Sequence, residues 1–166
     1  MAENGRLLII DDEPQLRNML QRLFVSEGYA VITAETGAQA MQRLKAQRFH
    51  VVLCDVKLPD ANGVELTQAI KSQQPDAEVI VFTAFGTIGD AVKAVQNGAF
   101  HYLVKGDDNA KLIPTASGAL EKAKAQRQVE PVISDDPFAA ITGRSPAIQQ
   151  VIELARKVAP TEASVL

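Results

Sequence analysis

Residues 6–14 read Arg-Leu-Leu-Ile-Ile-Asp-Asp-Glu-Pro, and the pattern changes abruptly after Ile10. Four consecutive apolar side chains suit a strand covered on both faces, the mark of a parallel sheet. Just beyond, Leu16, Met19, Leu20, Leu23 and Phe24 recur at helical spacing, and Gly28 provides a stop. The same alternation repeats down the chain. Strands are expected at 6–10, 30–34, 50–54, 78–83 and 100–104. Ala40, Met41 and Leu44 mark a second helix, Leu66, Ala69 and Ile70 a third, and Ile88, Ala91, Val92 and Val95 a fourth closed by Asn97-Gly98. A fifth helix is expected from near Asn109 towards Gln128, with Pro114 either in its first turn or at a kink, and with Gly118 as a weak point. Five β-α units predict an α/β fold: a doubly wound, five-stranded parallel sheet with helices on both faces.

In such sheets ligands sit beyond the carboxyl ends of the strands. The residues just past the expected strand ends are Asp11-Asp12, Asp55, Thr83-Ala84 and Lys105. Singly, each has an ordinary explanation: Asp12 or Thr83 could cap a helix, Asp55 could belong to a turn, and Lys105 could be a solvated lysine. Packing does not require all of them on one edge. Bare carboxylates repel by about 4 kcal/mol per pair at about 4 Å and an effective dielectric of about 20. A hard divalent cation together with Lys105 would neutralise the three acids, and few protein oxygens with retained waters suit Mg²⁺ (or Mn²⁺). A carboxylate can attack phosphorus to form an acyl phosphate. The metal and Lys105 would stabilise the transferring oxygens, and Thr83 could hydrogen-bond the product. No evident base activates water, so the pattern favours a lasting aspartyl phosphate, a switch rather than an enzyme.

Composition narrows the classes further. The apolar fraction of 46% is ample for a packed core, and the net charge of −3 argues against a nucleic-acid surface spread over the chain. A single cysteine, Cys54, excludes an internal disulfide. No apolar run approaches the roughly 20 residues that span a bilayer. Residues 1–6 lack the blocks of a secretion signal, so a cytoplasmic location without a membrane partner is expected.

The segments Leu8-Ile-Ile-Asp-Asp-Glu-Pro14, Val52-Leu-Cys-Asp-Val-Lys-Leu-Pro-Asp-Ala-Asn-Gly63, Val81-Phe-Thr-Ala84 and Gly98-Ala-Phe-His-Tyr-Leu-Val-Lys105 together resemble the receiver domain of bacterial two-component response regulators. The resemblance covers residues 6 to about 125 and implies the strand order 2-1-3-4-5. It makes Asp55 the phosphoacceptor, Asp12 a direct Mg²⁺ ligand assisted by Asp11, and the Lys57 backbone carbonyl a further metal contact. It gives Thr83 and Lys105 phosphoryl-sensing roles, Tyr102 the place of the switching aromatic, and a sensor histidine kinase the role of donor. Dimerisation through the face of the fourth helix, fifth strand and fifth helix, or through the linker, is a further hypothesis. One departure stands out. The family usually has proline after the lysine, often through a cis bond, whereas Gly106 follows Lys105 here, so a trans bond and a more mobile loop are expected.

The receiver is expected to span 1–127 and a linker, rich in proline and acids, 128–137. Ser145-Pro146 then suits a helix start, and Ile148, Val151, Ile152, Ala155 and Val158 give that helix an apolar face. Residues 138–166 resemble the opening of the AAA+ ATPase domain of sigma-54-dependent transcriptional activators. No P-loop occurs in them, so ATP hydrolysis is not assigned to this chain. DNA and the sigma-54 polymerase would be partners only through further domains. A phosphatase of the haloacid-dehalogenase type would need an acid where Lys57 stands, and a flavodoxin-like site would not have an acidic first loop. A receiver-like docking module that works without phosphorylation is the alternative, against which the intact acidic pair, Thr83 and Lys105 argue.

Overall fold

Each expected strand forms within one residue of its expected bounds. The structure is a computed structural model and describes residues 4–129. In chain order the elements are β1 (Gly5–Ile10), α1 (Pro14–Ser26), β2 (Tyr29–Ala34), α2 (Gly37–Ala46), β3 (Val51–Cys54), α3 (Gly63–Gln73), β4 (Glu78–Thr83), α4 (Ile88–Gln96), β5 (His101–Val104), a 3₁₀ turn (Asn109–Lys111) and α5 (Leu112–Val129). The sheet is parallel throughout and ordered β2-β1-β3-β4-β5. This is the expected doubly wound topology.

Strand alternation divides the core. Leu7, Ile9, Leu53, Ile80, Phe82 and Leu103 face Leu20, Phe24, Leu112, Ala116 and Leu120 of α1 and α5. Leu8, Ile10, Val52, Cys54 and Val79 face Ala40, Leu44, Leu66 and Ile70 of α2 and α3. Both faces of the sheet are therefore covered, which explains why its strands read as unbroken apolar runs. Up to Ala125 in α5, these elements form one compact unit. The expected segment 138–166 and the linker beyond Val129 lie outside the described residues.

Local chemistry sets the helix starts. Thr36, Asn62 and Thr87 accept the backbone N–H of Gln39, Val64 and Asp90 and so cap α2, α3 and α4. The first helix differs: Glu13 occupies its cap position without a side-chain bond, and Pro14 follows. Asp12 is thus not the cap of α1. Pro114 falls in the first turn of α5, where no helical hydrogen bond is lost and no kink is needed.

Two expected apolar stripes point elsewhere. The buried residues of α1 are Arg17, Leu20 and Phe24, whereas Met19 is exposed. In α4 only Ala94 is buried, and Ile88, Val92 and Val95 face solvent. Periodicity identifies an apolar face but not whether a neighbour covers it.

Candidate functional site

The sheet ladder continues one residue past the strands and so places the acids. The Asp11 N–H donates to the Ala34 carbonyl at 3.1 Å, the Asp55 N–H to Ile10 at 2.9 Å, and the Lys105 N–H to Thr83 at 2.8 Å. Asp11, Asp55 and Lys105 are thereby fixed at one edge by the same backbone bonds that hold the strands together. A second constraint comes from Gly63 at the start of α3. A Cβ there would collide with the Asp55 carbonyl, so glycine allows α3 to begin directly against the Asp55 peptide.

Asp11, Asp12 and Asp55 each offer an oxygen, and these all lie within 4.8 Å of one another. Asp11 and Asp55 are buried, and Asp12 faces solvent. Lys105 Nζ bridges the buried pair, 2.8 Å from Asp11 Oδ2 and 3.0 Å from Asp55 Oδ2. Burial pulls the Lys105 pKa down, but its hydrogen bonds to Asp11 and Asp55 and their charges more than offset this, and the net shift is upward. One ammonium facing three carboxylates leaves a negative excess. Closely spaced oxygens with uncompensated charge fit a hard divalent cation, and of the three carboxylates that of Asp12 is the one open to solvent.

Thr83 is fully buried, and its Oγ1 accepts the Phe85 N–H at 3.2 Å. Because that oxygen already accepts, its own O–H can be turned towards another acceptor. The Tyr102 side chain packs beside Val56, Val64, Val81 and Ala94. Its hydroxyl is enclosed near Gly86 without a well-formed hydrogen bond, and burial raises its pKa. Lys57 pairs through its backbone with Asn62 in an isolated bridge, and its ammonium lies 3.9 Å from the centroid of the exposed Phe85 ring. Cys54, directly before Asp55, is wholly buried, and burial with the neighbouring Asp55 and Asp11 charges pushes its thiol far up.

The peptide after Lys105 is trans, as expected, since no cis bond occurs among the described residues. The loop is not loosely held, however. Gly106 adopts φ +92°, a left-handed conformation that suits glycine, and its N–H donates to Asn109 Oδ1 at 2.9 Å. Asp108 accepts the Val104 N–H at 2.9 Å. The polar residues that replace the usual continuation supply these ties.

Several contributors escape sequence reasoning. Arg17 donates to the Asp11 carbonyl, Glu35 pairs with Arg17, and Asp60 accepts the Gly37 and Ala38 N–H groups at 2.8 and 2.9 Å. One signal exists: Arg17 shares the helical spacing of Leu20 and Phe24, which is unusual for an arginine without a buried partner.

Comparison with known proteins agrees with this geometry. The response regulator receiver domain family matches residues 7–117. The transcriptional regulatory protein GlrR of Escherichia coli K12 is 38% identical over 162 residues, covering 98% of this chain and 35% of GlrR. The chain thus spans about a third of the length of the curated relatives it matches. Among solved structures, the beryllofluoride-activated NtrC4 receiver domain dimer is 36% identical, with a TM-score of 0.67 over 71% of this chain and 98% of that one. The response regulator TrrA of Thermotoga maritima, solved in complex with Mg²⁺ and beryllofluoride, is 29% identical, with a TM-score of 0.63 over 69% of this chain and 98% of that one. The DNA-binding transcriptional regulator NtrC of Escherichia coli K12 is 30% identical over 164 residues, covering 99% of this chain and 35% of NtrC, so the expected likeness to receiver domains is present in both sequence and fold. The chain belongs to the response regulator receiver domain family.

Proposed function

We propose that this chain is a phosphoacceptor switch in which Asp55 takes a phosphoryl group from a phosphohistidine of a sensor kinase. Asp12, Asp55 and the Lys57 carbonyl would hold Mg²⁺, with Asp11 assisting. The observation that carries the reading is Lys105 Nζ shared between Asp11 and Asp55 beside an exposed Asp12. A bound cation would screen the transferring oxygens from the carboxylates. An Asp55 oxygen attacks phosphorus as the P–N bond to the donor imidazole breaks, leaving an acyl phosphate on Asp55. Lys105 then follows the phosphoryl oxygens, and the Thr83 hydroxyl donates to one of them. The test is treatment with acetyl phosphate and Mg²⁺, read by intact mass. The wild type gains one phosphoryl group and Asp55→Asn gains none; phosphorylation that survives this substitution sinks the assignment.

We infer further that phosphorylation is read through Thr83 and Tyr102 towards α4, β5 and α5. Moving a two-state population from about 1:99 to 99:1 takes about 5.5 kcal/mol of differential stabilisation, which a phosphoryl group with its cation and hydrogen bonds can supply. The solvent-facing Ile88, Val92 and Val95 of α4 support a homodimer on that face. Light scattering with and without beryllofluoride tests it, and an unchanged monomer counts against it.

The output we propose is a cytoplasmic sigma-54-dependent transcription activator, with the receiver at 1–127, a linker at 128–137 and the start of an AAA+ domain at 138–166. The match to GlrR runs over nearly the whole chain, well past residue 117, which supports this arrangement. No helix among the described residues is long and apolar enough to cross a membrane.

A further inference from the structure

Arg17 is a charged side chain on the buried face of α1, and a guanidinium there is costly unless its donors are used. Nη1 donates to the Asp11 backbone carbonyl at 2.7 Å, and Nη2 contacts Glu35 Oε1 at 2.8 Å. The Arg17 side chain is 10% exposed and that of Glu35 58%. Asp11 is also held by its N–H, bonded to Ala34, and by Oδ1, which accepts the Glu13 N–H at 2.9 Å. The bend from β1 into α1 is thus clamped on both sides of Asp12, which has no cap to make.

These contacts belong to a closed circuit around the sheet edge. Asp60, in the loop after Asp55, binds the start of α2. Glu35, just before α2, reaches Arg17; Arg17 holds Asp11; Lys105 joins Asp11 back to Asp55. Within this circuit, Arg17 grips the main chain on the amino side of Asp12, as Asp11 Oδ1 does on its carboxyl side.

We propose that Arg17 is a positioning residue for the cation at the carboxylate cluster. It acts through the Asp11 carbonyl, which fixes the bend presenting Asp12 towards Asp55, while Glu35 cancels the guanidinium charge that would otherwise repel the cation. The proposal rests on the metal reading given above. Removing groups that orient metal ligands commonly weakens metal binding by about tenfold or more.

The test is Mg²⁺ titration by calorimetry, with melting temperature measured in EDTA and in saturating Mg²⁺. Arg17→Met keeps the packed stem but loses both bonds, and its Mg²⁺ dissociation constant should rise by about tenfold. Arg17→Lys keeps the charge but lacks the fork needed to reach both partners, and should fall between the two. Glu35→Gln, at an exposed position, should weaken binding by about two- to threefold at low salt, with the difference shrinking as ionic strength rises. Equal destabilisation of Arg17→Met in EDTA and Mg²⁺, with an unchanged dissociation constant, overturns the proposal. If Arg17→Met does not fold, Arg17→Lys and Glu35→Gln decide: wild-type affinity in both at low salt overturns it. A wild type without a saturable Mg²⁺ response instead defeats the metal reading and the proposal with it.

Discussion

The two ends of the sheet both carry buried acids, but they are balanced differently. At the amino end, Glu78 is 1% exposed and has two cations, Lys71 and Lys122, each at 3.4 Å. Asp76 meets Arg48 at 2.7 Å. Lys71 also donates to the Pro75 and Ala77 carbonyls, and Gln74 bonds Leu44, Gln47 and Phe49. At the carboxyl end three carboxylates cluster, and Lys105 pairs with two of them, Asp11 and Asp55. Burial of a carboxylate therefore does not distinguish a structural site from a chemical one; the balance of charge around it does. The amino end is compensated and holds elements together. The carboxyl end keeps a negative excess of the kind that a hard cation balances.

Substitutions at the two ends should accordingly have opposite signs. The largest effect is expected at the amino end. Glu78→Ala takes the carboxylate from two lysines and opens a gap, and should lower stability by about 2–3 kcal/mol in urea unfolding, below the full buried-pair value because Lys71 keeps its backbone carbonyls and Lys122 is half exposed. Phosphorylation of Asp55 should persist in the folded fraction. At the carboxyl end, Asp12→Asn removes one of three clustered charges and should raise stability in EDTA by up to about 1 kcal/mol. Its Mg²⁺-dependent increase in melting temperature should vanish. Loss of stability in EDTA would break the comparison.

The smallest effect concerns Asp60, which joins the β3–α3 loop to α2. Hydrogen bonds from the Ala38 and Gly37 N–H groups lower its pKa. A carboxylate held below its unfolded value stabilises the fold above the unfolded pKa of about 3.9, and that contribution is lost as pH falls through the folded pKa. Urea midpoints compared from about pH 6 to pH 3 should therefore fall less steeply in Asp60→Asn than in the wild type. Identical pH profiles would remove Asp60 from the circuit around the site.

Much of the fold and of the site is legible in the residues alone. Strand positions are readable because a strand covered on both faces needs consecutive apolar residues, as in Leu7–Ile10 and Val79–Phe82. Asp11, Asp12, Asp55 and Lys105 are readable because strand ends define the ligand edge. The exposure of the α4 stripe is not readable, since covering a face depends on neighbours distant in sequence. Nor is the tied loop after Gly106, because its polarity suggests solvent, whereas Asp108 and Asn109 bond the backbone.

By itself, then, the sequence determined the alternating sheet and the identity of the acids at its carboxyl edge, since both follow from local period and strand ends. Tertiary structure decided how those acids are oriented. Arg17 to Asp11, Asp60 to α2 and Lys105 to Asp55 are contacts across 6, 22–23 and 50 residues. Apart from Arg17's odd place in an apolar stripe, no periodicity records them, because they arise only when the folded sheet brings its loops to one edge.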